Sequence, residues 1–175
     1  SDGTTESNSH YEAWEYKYED KANTRADLAQ AQFSETFFMS EDELEATIKQ
    51  QPLFVTEVAM KSWSDGDLMC ATVQNNSGVT IQEIQVAYAT WDAAGNPVYI
   101  TWSDGEKMTN NVAKLIMDEL TFADGKTYGS SNGLPLHKDS AKVDKFIAIV
   151  ASYVDADGNT WENPCYSAWL NMYRE

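Results

Sequence analysis

The chain has 175 residues, 42% apolar and 12% aromatic, which suits one domain with appendages or two small ones. With 12 Lys+Arg against 28 Asp+Glu it carries a net charge of −16, a field that repels nucleic acid and anionic membrane surfaces. Cations, basic partners and solubility remain as uses for that charge.

The first stretch, "SDGTTESNS", is polar, has no fold of its own and does not begin with Met. It predicts a polar linker over 1–10, left after removal of an export signal or downstream of a lipid-bearing cysteine. Residues 1–52 hold 12 acidic and 4 basic side chains, and residues 53–175 hold 16 and 8. Each part nets −8, so the charge is concentrated before Pro52. Within 11–33, Tyr11, Trp14, Tyr18, Ala22, Ala26, Ala29 and Phe33 recur at helical steps and predict one helical face, although "WEYKY" alternates as a strand would. Ser40 with Glu43 three residues on is a capping box, Leu44 and Ile48 share a face, and Pro52 stops the helix. Residues 11–52 therefore predict an acidic helical segment.

From 53 the pattern turns to β. "LFVTEVAMKSW" and "LMCATVQ" are joined through Asp65-Gly66-Asp67; "IQEIQVAYATW" and "PVYITW" are joined through "DAAGN". Gly95 and Asn96 can there supply the positive φ of a tight turn. "KLIMDELTF" ends at Asp124-Gly125, and "FIAIVASYV", apolar on both faces like a central strand, ends at "DADGN". About seven strands are expected over 53–163. Asn163 and Pro164 then read as N-cap and first residue of a short C-terminal helix whose Tyr166, Trp169, Leu170 and Tyr173 share a face.

Candidate sites are few. "WDAAGN" and "VDADGN" share one pattern, and Asp155, Asp157 and Asn159 have the alternate spacing that opens an EF-hand loop. Tyr166 stands where such a loop closes with Glu, and Asp and Asn favour turns by bonding their own backbone. The turn reading leads, with these three residues kept as a weak metal candidate. His10 and His137 are the only histidines, no G-x-S-x-G surrounds a serine, and "GKT" at 125–127 lacks the leading glycine of a phosphate loop. No catalytic residue, cofactor or enzymatic activity is expected. Six Trp and nine Tyr raise a carbohydrate-binding alternative; Trp63 and Trp102, beside turns, are the aromatics expected to be exposed, which also suits a protein interface. Cys70 is expected to face outward and Cys165 to start the terminal helix; a bridge between them would close a loop of about 95 residues.

"ATVQNNSGVTIQEIQVAYATWDAAGNPVYI", "GKTYGSSNGLPL" and "FIAIVASYVDADGNTWENPCYSAWLNMY" together resemble a family of bacterial domains of unknown function. That family looks related to the FxLYD-type immunoglobulin-like domains of Gram-positive cell surfaces. The resemblance covers 53–175 and implies an extracytoplasmic β-sandwich carried on a lipoprotein or membrane-anchored chain; it brings no ligand and no activity. The expected fold is mainly β, an immunoglobulin-like β-sandwich with an N-terminal helical segment and a short C-terminal helix. The expected function is a non-enzymatic, surface-tethered binding or spacer module. Its expected partner is a protein or a cell-surface glycan, not nucleic acid, with the membrane reached only through an N-terminal anchor.

Overall fold

The computed structural model describes residues 39–63, 66–102 and 104–175. The linker at 1–10, the helix expected over 11–33, His10 and the side chain of Trp63 lie outside the described residues. From Met39 to Glu175 the chain forms one compact unit.

It opens with helix α1, Glu41–Ile48. The capping box is present: the Ser40 hydroxyl accepts the Glu43 N–H at 3.4 Å and the Glu43 carboxylate accepts the Ser40 N–H at 2.9 Å. Glu41, Asp42 and Glu43 fill the first turn, where negative charge offsets the helix dipole. Eight strands follow: β1 Leu53–Trp63, β2 Gly66–Asn75, β3 Ile81–Trp91, β4 Val112–Met117, β5 Thr127–Tyr128, β6 Gly133–Pro135, β7 Lys145–Asp155 and β8 Thr160–Glu162. Helix α2, Tyr166–Tyr173, ends the chain. One antiparallel sheet has the order β1-β2-β5, with β6 also on β2; the other runs β4-β3-β7-β8.

The two sheets face each other over one core, and the second sheet carries both helices on its far face. This explains why β3 and β7 are apolar at successive positions. In β7, Phe146, Ala148 and Val150 turn to the inter-sheet core, while Ile147 and Ile149 turn to the helices. In β3, Ile84, Val86 and Tyr88 face the first sheet, and Ala87 and Ala89 face Leu44 of α1 and Trp169 of α2. Small alanines let the helices seat closely. Each large side chain so buried contributes roughly 1.5–3 kcal/mol. All four aromatic and leucine positions expected on one face of the C-terminal helix do pack there.

Strand β1 contains a bulge between Val55 and Glu57. The extra residue keeps both Val55 and Val58 on the core side and sends Glu57 to solvent. Asn75, fully buried, ties the β2–β3 turn to the loop before β5: its amide donates to the carbonyls of Val79 and Phe122, and its oxygen accepts from Ser77.

Several expectations need correction. "PVYITW" forms no strand. Both neighbours of β3 are taken by β4 and β7, so residues 97–102 make only isolated bridges, Trp91 with Pro97, Thr101 with Lys107 and Trp102 with Leu136. The turn at 92–96 uses positive φ at Gly95 alone, not at Asn96. The C-terminal helix starts at Tyr166 rather than Pro164; Asn163 instead accepts the Cys165 N–H and donates to the Val150 carbonyl. Cys70 does not face solvent: it is buried, opposite Ala59 and Gly133 in the ladder. Both cysteines are free. Cys165 lies under the helices on the far face of the second sheet, and Cys70 belongs to the first, so a whole sheet separates them.

Candidate binding groove

The two Asp–Gly–Asn loops have the same construction. At 92–96 the Asp92 carboxylate accepts the N–H groups of Ala94 and Asn96 on one oxygen and the Asn96 amide on the other, at 2.8–2.9 Å. At 155–159 the Asp155 carboxylate does the same for Asp157, Asn159 and the Asn159 amide, each at 2.9 Å. The asparagine side-chain bond first, then backbone bonds, hold both carboxyl groups below the usual carboxylate range. Asp155 and Asn159 are thus committed to closing the loop, and Asp157 contributes its backbone N–H to it. Among the described residues no three acidic, histidine or cysteine side chains converge.

Two measurements test this arrangement. Millimolar calcium is expected to leave the melting temperature within a degree or so of the chelated protein, since a ligand of the native state alone would raise it. Because both carboxyls titrate lower in the folded chain, their stabilisation is complete above the unfolded aspartate pKa of about 3.9 and fades as pH falls through the folded values. Asp92→Ala plus Asp155→Ala should therefore melt several degrees below the parent at pH 7, with the gap closing below about pH 4. A calcium-dependent rise, or a gap that persists in acid, would contradict the loop assignment.

Trp102 is half-buried and packs against the inter-sheet core. It borders a cavity of about 370 Å³ with Met108, Lys114, Tyr166 and Arg174. His137, on the loop after β6, accepts the Asp139 N–H on its Nδ1 at 3.2 Å and lies 3.6 Å from the Asp139 carboxylate. It lines neither that cavity nor the groove described next. The hydroxyl of Tyr88, buried between the sheets, has no partner among the described residues; burial and then the nearby Cys70 push its pKa far up, so it stays neutral.

The larger concavity, about 390 Å³, runs between α1, α2 and the neighbouring margins of β1 and β7. Leu44, Ile48, Val55, Val58, Ile147 and Trp169 supply apolar lining. Trp91 and Tyr173 close one end, ring centroids 6.1 Å apart and edge to face, with the Lys145 ammonium 5.7 Å from the Trp91 ring. Glu41, Glu45 and Glu57 stand around the opening with Lys49 and Lys145. The Tyr173 hydroxyl donates to Glu41 at 2.9 Å; burial and this bond raise its pKa, so it remains a donor. Lys49 is 3.7 Å from Glu45 and partly cancelled by it.

The groove exists because β8 is short. It pairs with β7 only at Ser152–Val154. Asn163 takes the Ala151 and Val150 carbonyls, and the chain then turns into α2. Among the described residues nothing hydrogen-bonds the outer edge of β7 from Lys145 to Ile149. Leu44, Ile48, Trp169 and Tyr173 were expected only as helix faces, and no groove residue was expected from sequence as a site residue. The readable signal was Asn-Pro immediately after "TWE", which limits the last strand to three residues.

Fold and groove define a two-sheet antiparallel β protein with a helical layer on one face, presenting an apolar cleft with charged residues around it. The chain belongs to a family of unknown function, DUF5780, which matches residues 68–175. Its fold resembles that of a hypothetical protein from Peptoclostridium difficile 630 solved by X-ray crystallography, with a TM-score of 0.58 and 16% identity over 71% of this chain and 92% of that one. No curated protein matches the chain.

Proposed function

We propose that this chain is a non-enzymatic binding module of an extracytoplasmic, surface-tethered bacterial protein, and that the groove takes a segment of a protein partner. The observation that carries the reading is the groove itself: an apolar lining with Glu41, Glu45, Glu57, Lys49 and Lys145 around it in one place. Ligand sites are typically concave and mostly apolar with a few polar groups that orient.

The immunoglobulin-like assignment is part of the same proposal, and strand order supports it. Taking β1, β2 and β5 as strands A, B and E, and β4, β3, β7 and β8 as C′, C, F and G, gives the two sheets of that sandwich. The helical layer is an addition to it. Domains of this architecture commonly serve on cell surfaces, which fits a tethered location.

A peptide array and a glycan array probed with the full chain test the reading. Parent protein should be retained by peptides, and Thr56→Trp, which places a large ring at an exposed position in the groove, should lose at least about tenfold in affinity. Retention by glycans alone would favour a carbohydrate-binding module instead.

A further inference from the structure

We propose that the cavity beside Trp102 is a second binding site, for a small monocarboxylate with an apolar, ring-bearing body whose carboxylate pairs with Lys114 and Arg174. This site is independent of the peptide groove, since the two concavities share no lining residue. Helix α2 stands between them. Trp169 and Tyr173 turn to the groove, while Tyr166, Leu170 and the capping Arg174, at four-residue steps, line the other cavity. On β4, Val112 and Lys114 stand two residues apart on the face that carries the helices. The loop before β4 completes the wall with Trp102, Met108 and Asn110.

Charge sets this cavity apart. The chain holds 28 Asp+Glu against 12 Lys+Arg, yet no carboxylate lines the cavity and both of its charged residues are cations. Neither cation is ion-paired among the described residues. The Lys114 ammonium lies 4.8 Å from the centre of the Tyr166 ring and 3.5 Å from the Gln85 amide oxygen, which hold it at the wall without neutralising it. Arg174 brings a planar fork of donors, the geometry that matches a carboxylate. The Tyr166 hydroxyl is buried without a partner among the described residues, a group that a ligand oxygen would satisfy. The Asn110 oxygen accepts the Val112 N–H, and its side-chain NH2 is left to donate. The Trp102 indole N–H donates to the Met108 sulfur, so Trp102 offers the ligand only its ring. With Met108, Val112 and Leu170 around that ring, the body of the ligand is apolar rather than a polyol. The net charge of −16 limits it to one negative group: two cations attract locally, and each further charge meets the repulsion of the whole chain.

The test titrates the full chain with indole-3-acetate, indole-3-acetamide and tryptamine, followed by calorimetry and by the Trp102 indole resonance. The carboxylate should bind at least about tenfold more tightly than the amide, and the ammonium most weakly. Lys114→Gln with Arg174→Gln, both at exposed positions, should remove that advantage and leave the melting temperature unchanged, whereas Lys114→Arg should keep it. Thr56→Trp, which fills the groove, should have no effect. Equal affinity for carboxylate and amide, or an advantage that survives the double substitution, overturns the proposal. Loss of binding in Thr56→Trp would place the ligand in the groove and overturn it as well. Glucuronate binding more tightly than indole-3-acetate would make this a sugar site and refute the apolar body. If none of the three indole probes binds at millimolar concentration, the proposal fails, while the peptide array still decides the groove.

Discussion

A chain that begins at Leu53 is expected to lose its cooperative melt and to bind a hydrophobic dye, whereas one that begins at Met39 keeps a single sharp transition. The reason is Leu44. It has no solvent exposure and sits on Ala87, Ala89 and Ile149 beside Trp169, so α1 is half of the layer covering the second sheet. Without α1, an apolar sheet face designed for two helices keeps one. Within the intact chain, Leu44→Ala should cost about 2–5 kcal/mol, because truncation leaves a cavity between helix and sheet. Domains of this size are commonly stable by about 5–15 kcal/mol, so that is a large fraction. Urea titration of these three proteins beside the full chain measures it. Identical midpoints for the Leu53 chain and the full chain would show that the sheets hold without the helix.

Reading the sequence placed the domain boundary at 53 because the β pattern starts there. The packing begins earlier, at Met39. The clue was in β7: "FIAIVASYV" is apolar on both faces, and a sheet facing solvent on one side would not be. That pattern demanded a second cover, and the amphipathic 41–48 and 166–173 helices were the elements available to provide it. The strand runs, the capping box, the turn glycines at 95 and 158 and the face of the last helix were legible because each depends on local spacing. "PVYITW" misled because alternation cannot report that both edges of the adjoining strand are already occupied.

The groove was less legible than the fold. Its residues come from α1, β1, β3, β7 and α2, which no spacing rule connects. Aromatics beside turns looked exposed, yet Trp102 packs inward, and the groove's aromatics, Trp91 and Tyr173, belong to regular elements. The paired aspartate loops drew attention as sites because their residue types overlap with those of cation loops. Geometry separates the two uses: a cation loop converges six or more oxygens on one ion, whereas here a single carboxylate per loop accepts the loop's own N–H groups.

Gly133→Ala should be among the most damaging single substitutions in the chain. Strand β6 pairs with β2 at Leu68–Cys70, and a Cβ on Gly133 would lie 2.7 Å from the Met69 carbonyl carbon and 2.8 Å from the Cys70 Cα. Those are backbone atoms, and Met69 and Cys70 are also held on the other side by Met60 and Ala59 of β1. Neither strand can yield without breaking a ladder. Gly129, at the other end of the "GSSNG" loop, meets the Ala71 carbonyl in the same way and also has φ +97. The two glycines explain why the "GKTYGSSNGLPL" stretch stands out: they let a loop lie directly on β2. Losing β6 would pull Leu134 and Leu136 from the core, so the expected cost is about 3 kcal/mol or more, at the upper end for a point change. Gly78→Ala is the control. Its Cβ would meet nothing, and only its φ of +78 opposes a side chain, for about 1–2 kcal/mol. Denaturant midpoints rank the two variants, and amide exchange at Met69 and Cys70 reports whether β6 has detached. A Gly133→Ala protein as stable as the Gly78→Ala protein would mean that β6 can move off β2 at little cost, and that the close approach is not what holds this side of the sheet together.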